Sequence, residues 1–215
     1  MSHECNKYII HKGQFVRDFD RMYREIPDPW NQKSEASVDI MNHVLLAMLK
    51  LILPGLFEKK KKIEIMDIGS GPGHLTPFLI KLANVKDNCY VGTDISSEAI
   101  GQACANSCQK SEYLVDDIRV KNHLFINRFD LIFCAKTLYY VAPEIETVLN
   151  NIKLYGKKNS VFCFTYDLTK DSFSKKFLDI QDLRKKLYYI YKELFFIEIK
   201  RDHNECLNIG IYEKI

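Results

Sequence analysis

A strand that runs straight into three alternating glycines constrains this chain more than any other feature. Ile63-Glu64-Ile65-Met66-Asp67-Ile68 reads as a buried strand, and Gly69-Ser70-Gly71-Pro72-Gly73 follows it directly. Glycines at 69, 71 and 73 let the backbone turn sharply and approach a ligand closely. Thr76-Pro77 then supplies a cap and a first-turn proline for a helix through Ala83. A dinucleotide fingerprint would need its third glycine at position 74, which is His74, so a nicotinamide or flavin reading fails on spacing. Asp67 sits at the strand end, where a carboxylate repels a pyrophosphate and suits a cationic ligand.

The same alternation continues along the chain. Cys89 to Thr93 reads as a strand ending at Asp94, and Ser96-Ser97-Glu98 opens a helix to about Cys108. Tyr113 to Val115 gives a third strand and Phe129 to Cys134 a fourth. A helix starts at Pro143-Glu144 and ends by Gly156, and Ser160 to Tyr166 is a fifth strand. Upstream, Val38, Met41, Leu45, Met48 and Ile52 recur at helical spacing, predicting a helix from an N-cap at Ser34 to Leu53 with Pro54-Gly55 as its stop. Lys59 to Lys62 is then a solvated loop. A helical stretch of about Ser174 to Lys192 precedes a closing hairpin, Leu194 to Ile199 and Leu207 to Tyr212, turning at Asp202-His203-Asn204. The expectation is a doubly wound α/β domain: a seven-stranded, mostly parallel sheet with an antiparallel C-terminal hairpin and its ligand beyond the strands' C-terminal ends. At 215 residues the chain suits one domain. We divide it into an N-terminal arm and helix, 1–57, forming a lid, and a core, 58–215.

Composition narrows the partners. Lys plus Arg number 31 against 28 Asp plus Glu, a formal charge of +3, which disfavours nucleic acid. The longest apolar run, Val44 to Leu49, is cut by Lys50, so no membrane-spanning segment is expected. The N-terminus lacks a basic region followed by an apolar one, and seven scattered cysteines give no disulfide framework; both point to a reducing, cytoplasmic compartment. Cys104 and Cys108 have no second ligand pair with zinc spacing, so no metal site is expected. The expected state is a monomer or homodimer.

Two further carboxylates fall at predicted strand ends. Asp94 lies 21 residues after Gly73, close to the spacing of ribose-binding carboxylates, although it can also cap the helix that follows. Asp117 sits just past the third strand, with Asp116 as a rival, and can equally cap a turn.

With Asp67-Ile68-Gly69-Ser70-Gly71-Pro72-Gly73, Asp94 and Asp117-Ile118 in this order, the chain resembles the class I S-adenosylmethionine-dependent methyltransferases over nearly its whole length. That resemblance implies S-adenosylmethionine as cofactor. Asp67, Gly69, Ser70, Gly71 and Gly73 would hold its amino-acid part, Asp94 and Ile95 its ribose, and Asp117 and Ile118 its adenine, with Ala135 lining the site. Phe129 to Ile132 and Ala135 to Val141 are similar to the family's fourth motif, except that Lys136 stands where an acidic residue is frequent. Phe19 to Trp30 resembles the leading segment of the nodulation protein S type of these enzymes, which methylate amines on small or oligosaccharide substrates. In that resemblance Tyr23 and Trp30 fold over the cofactor, though Trp30 can equally anchor the arm to the core.

Tyr139, Tyr140 and Tyr166 follow strands four and five, where they can line the acceptor pocket, and packing should claim at least one. Tyr139, Tyr140 and His74 are the candidate catalytic residues, His74 also being a candidate helix cap. The expected activity is methyl transfer to nitrogen or oxygen of a small molecule. One rival is a methyltransferase of RNA or protein, but the chain lacks the Asn/Asp-Pro-Pro-aromatic run used on flipped bases. Another is a cofactor-binding partner protein without catalysis, hinted at by Lys136.

Overall fold

A computed structural model describes residues 3–35, 39–58, 60, 62–82, 89–107, 111–168, 178–202 and 205–215. The arm contains α1 (His3–Ile9), a two-stranded ribbon of β1 (Ile10–His11) and β2 (Gln14–Phe15), α2 (Phe19–Glu25) and α3 (Gln32–Glu35). α4 (Ile40–Phe57) leads into β3 (Glu64–Ile68), α5 (Thr76–Leu82), β4 (Cys89–Asp94), α6 (Ser97–Ala105) and β5 (Ser111–Val115). Then follow β6 (Phe129–Ala135), α7 (Ile145–Tyr155), β7 (Gly156–Leu168), α8 (Ile180–Tyr188), β8 (Tyr191–Asp202) and β9 (Glu205–Lys214). The seven later strands form one sheet in the order β5-β4-β3-β6-β7-β9-β8. β3 to β7 pair in parallel, and β9 runs antiparallel to both β7 and β8. This is the expected fold.

Strand alternation builds a core on each face, because successive side chains point to opposite sides of a sheet. Ile65, Leu131, Phe133, Val161 and Cys163 pack with Leu45, Leu49, Leu53 and Phe57 of α4 and Leu79 of α5. Their neighbours Met66, Ile132, Cys134, Phe162 and Phe164 pack instead with Val148 and Ile152 of α7, Leu183 and Leu187 of α8, and Met22 and Tyr23 of α2. Both faces are covered, which is why the strands read as near-continuous apolar runs. The sheet's strand order reverses at β3, between β4 and β6, and a crevice opens there beyond the strand ends.

The helix expected from Ser34 to Leu53 is drawn differently. Ser34 belongs to α3, and the cap of α4 is Asp39, whose side chain accepts from the Met41 and Asn42 amides. Val38 lies outside the described residues. Pro54 does not stop α4, which continues to Phe57. Pro54 gives up the bond that an amide would make to the Lys50 carbonyl, and burial of Leu53 and Phe57 under the sheet outweighs that loss. The uninterrupted helix, 18 residues with a hydropathy of 1.8, is long and apolar enough to cross a membrane by length and composition. The sequence reading missed this by ending the helix at Pro54. Its buried face seats on the sheet as a core helix does.

At the tail, α8 is shorter than predicted, since Tyr191 and Lys192 already belong to β8, and Ser174 lies outside the described residues. Leu138–Glu144 forms a 3-10 segment, so α7 begins at Ile145 rather than Pro143. The hairpin is present with longer strands than expected, while residues 203 and 204 at its turn lie outside the described residues, as do Ala83, Cys108, Lys59 and Lys61.

Within the 1–57 segment, residues from Arg17 to Gln32 line the cleft, α4 packs on the sheet, and Asp39 and Asn42 at its N-terminal end also reach the cavity. The arm is tied down by polar contacts. Asp20 accepts from the Ser96 and Ser97 hydroxyls and the Glu98 amide at the head of α6. Arg17 donates to the Tyr140 carbonyl at 2.9 Å and pairs with Glu144 at 2.7 Å.

Candidate active site

The glycine turn is held by the neighbouring strand: the Gly69 and Ser70 amides both donate to the Thr93 carbonyl, at 2.7 and 2.9 Å. Gly69 has φ 71°, and a Cβ there would lie 2.3 Å from Thr137 Oγ1. No side chain fits. Gly69→Ala is expected to destabilise the protein by about 2 kcal/mol or more in urea unfolding, combining the left-handed strain with the clash. At Gly71, φ 54°, a Cβ would meet Tyr23 Oη at 2.9 Å and Gln32 Oε1 at 3.1 Å, so the arm rests directly on the turn.

Four carboxylates follow from the strand ends. Asp67 is buried and accepts from Tyr90 Oη at 2.7 Å. Burial pushes its pKa up to about 7, the Tyr90 bond offsetting only part of the effect. Asp94 accepts from the Gly71 amide on one oxygen and the Ser96 amide on the other. Burial raises it to about 6. Asp117 is bound by Arg119 through three side-chain contacts of 2.7 to 3.1 Å, which outweigh its burial and hold its pKa low. Asp116 is the freer neighbour. Its Oδ1 accepts from Asn122, its Oδ2 is buried without a hydrogen-bond partner, and burial raises its pKa.

These groups line a cavity of about 490 Å³, within the range of small-molecule sites. Its roof is aromatic: Trp30 lies 5.7 Å from Tyr23, 6.0 Å from Tyr140 and 6.4 Å from Phe19 between ring centroids. Trp30 Nε1, Gln32 Oε1 and Ser70 Oγ are buried without hydrogen-bond partners, like Asp116 Oδ2, and all four residues line this cavity. Gly69, Ile95, Ile118 and Ala135 also line it, whereas Gly71 and Gly73 shape the turn behind it.

The candidate catalytic residues all line the cavity. Tyr139 and Tyr140, 4.4 Å apart, are buried, and desolvation drives both hydroxyls well above pKa 10. His74 is half-buried, and desolvation lowers its pKa. Tyr166 is the tyrosine claimed by packing: it is fully buried and donates to the Leu178 carbonyl. Sequence reasoning missed Arg17, Arg119, Gln32 and the ion pair between Lys136 and Asp39. Only Asp39 had a legible signal, as an N-cap residue before the apolar run. Among the described residues no group of side chains is arranged to hold a metal ion.

Comparison with known proteins agrees with this geometry. Residues 66–162 match the family described as a methyltransferase domain. A probable methyltransferase, ltbC, from Aspergillus luteorubrus is 32% identical over 93 residues, covering 39% of this chain and 32% of that protein, so the match spans about a third of the relative's length. Among solved structures, the N-methyltransferase NodS from Bradyrhizobium japonicum WM9 in complex with S-adenosyl-L-homocysteine is similar with a TM-score of 0.64 and 18% identity. The alignment covers 90% of this chain and 96% of NodS. The CurJ carbon methyltransferase aligns with a TM-score of 0.68 and 14% identity, over 93% of this chain and 62% of CurJ. At such identities the structural likenesses carry the fold, and the matched domain is a likeness over less than half of the chain. Residues 66–162, which start just before this glycine turn, are thus similar to a methyltransferase domain, and the whole chain shares the fold of the N-methyltransferase NodS.

Proposed function

We propose that this protein transfers a methyl group from S-adenosylmethionine to a nitrogen or oxygen of a small molecule. The observation that carries the reading is one cavity in which four unpartnered buried polar atoms surround two carboxylates whose charge is suppressed by burial. Orphaned polar atoms of this kind call for a ligand, and carboxylates poised near neutrality gain most from a cationic one.

The residues fit that cofactor. Each oxygen of Asp94 uses one acceptor site on a backbone amide and keeps another for a ribose hydroxyl. Asp67 supplies negative charge beside the turn for the cationic amino-acid and sulfonium part. Asp116 Oδ2 suits the amino group of adenine better than the Arg119-bound Asp117. Trp30 Nε1, Gln32 Oε1 and Ser70 Oγ offer donors and acceptors to the polar end. When bound, S-adenosylmethionine supplies a methyl group already made electrophilic by a positive sulfur.

The chain's own task is positioning, worth up to about 7 to 11 kcal/mol when reacting atoms are aligned. Phe19, Tyr23, Trp30 and Tyr140 roof the cavity and exclude water. Tyr139 and Tyr140 stay protonated and hydrogen-bond each other, so they shape the acceptor's pocket and do not take its proton. His74, kept neutral by burial, is the group placed to accept that proton. A compact acceptor fits a covered cavity of this size better than a polynucleotide, and the small net charge of +3 agrees.

Incubation with methyl-labelled S-adenosylmethionine and a cell extract, read by mass spectrometry, tests the reading. Label should appear on nitrogen or oxygen of a small metabolite. Label confined to RNA or protein, or cofactor binding without transfer, would reject it.

A further inference from the structure

Resting on that reading of the cleft, we propose that Lys136 binds a carboxylate of the methyl acceptor, so that the natural substrate is a small anionic molecule whose nucleophilic nitrogen or oxygen lies near a carboxylate. Lys136 follows β6 directly with φ 51°, a left-handed conformation uncommon for a residue with a side chain, and its amide donates to the Thr165 carbonyl at 3.0 Å. The backbone is thereby fixed between the tips of β6 and β7. The side chain lines the cavity and forms an ion pair with Asp39 Oδ2.

Asp39 acts as the holder in this corner. Its Oδ1 caps α4 by accepting from the Met41 and Asn42 amides, and its Oδ2 takes Lys136. An ammonium has three donors, Asp39 engages one, and a third of the Lys136 side chain is exposed. The local charge does not cancel, because the N-terminus of the 18-residue α4 adds a partial positive charge beside the pair. Asn42, buried in the same first turn, brings a side-chain amide to the cavity wall.

The arginines of the cavity wall are each held by an acidic partner of their own. Arg119 is occupied by Asp117, and Arg17 by Glu144 and the Tyr140 carbonyl. Asp28, Asp67, Asp94 and Asp116 also line the cavity; they favour a cationic cofactor and repel an anion. That acidic surrounding favours a monoanionic carboxylate over a doubly charged phosphate.

Matched fragment pairs test the proposal on protein saturated with S-adenosylhomocysteine, using anthranilate with anthranilamide and salicylate with salicylamide in ligand-observed NMR and calorimetry. The acids should bind at least about tenfold more tightly than the amides, as a charge-assisted hydrogen bond implies. Lys136→Met should erase that preference and Lys136→Arg should retain it, with affinity for S-adenosylhomocysteine unchanged in both. Equal binding of acids and amides, no binding of either, or an acid preference that survives Lys136→Met would overturn the proposal while leaving the cofactor reading intact. Failure of the wild-type chain to bind S-adenosylhomocysteine, measured before any fragment is added, would remove both.

Discussion

Asp94→Ala is expected to lower affinity for S-adenosylhomocysteine by at least about 100-fold. Two charge-assisted bonds to ribose hydroxyls are each worth about 1.5 to 3 kcal/mol, and their joint loss corresponds to about 3 to 6 kcal/mol. The substitution also releases the Gly71 and Ser96 amides, loosening the turn that the amino-acid part rests on. The pH dependence has a definite sign. Because burial raises Asp94 to about 6, wild-type affinity should fall as pH drops below 6, when the protonated carboxyl loses acceptor capacity, and in Asp94→Ala this limb should vanish and leave only the one near 7 that Asp67 contributes. Calorimetry across pH 5 to about 8 reads both effects. An affinity for the nucleoside product unaffected by the substitution would show that Asp94 is only a helix cap.

Asp67→Asn should separate binding from stability. The folded-state pKa of Asp67, about 7, lies above its ordinary value of 3.8, so the native state holds the extra proton between these values. Stability from this group is therefore full in acid and is lost as pH rises from about 4 through about 7. The charged form costs about 4 kcal/mol at pH 8, by the size of that shift. Asparagine removes the charge while still accepting from Tyr90, so the variant should melt higher than wild type at pH 8 and nearly the same at pH 4. It should also bind S-adenosylmethionine at least about tenfold more weakly, having lost the negative charge beside the cationic part. Lower stability at pH 8 with full affinity would contradict both the burial argument and the assigned role.

Most of the fold was legible because this sheet is written in near-continuous apolar runs separated by caps and glycines. The strand at Ile63–Ile68, the turn at Gly69–Gly73 and the closing hairpin follow from local chemistry. The errors arose where tertiary burial overrode local signals. Pro54 is a strong breaker in isolation, yet the sheet holds α4 through to Phe57, and Ser34 is a good cap residue that happens to lie in another helix. The site divides in the same way. Asp67 and Asp94 were readable because their positions are set by strand ends. The relative freedom of Asp116 and Asp117 was not, because it depends on Arg119 two residues away turning its guanidinium back onto Asp117. Gln32 over Gly71, Arg17 on Tyr140 and Lys136 on Asp39 join residues 39, 123 and 97 positions apart. Nothing in a local pattern encodes such meetings.

A crystal structure with S-adenosylhomocysteine, determined from co-crystals of the full chain, tests the central claim most directly. The ribose should lie on Asp94, the adenine beside Asp116 and Ile118, and the amino-acid part against the glycine turn beneath Trp30. A cavity without ligand at saturating concentration, or a ligand bound outside the space between the arm and the tips of β3, β4 and β6, would contradict the account.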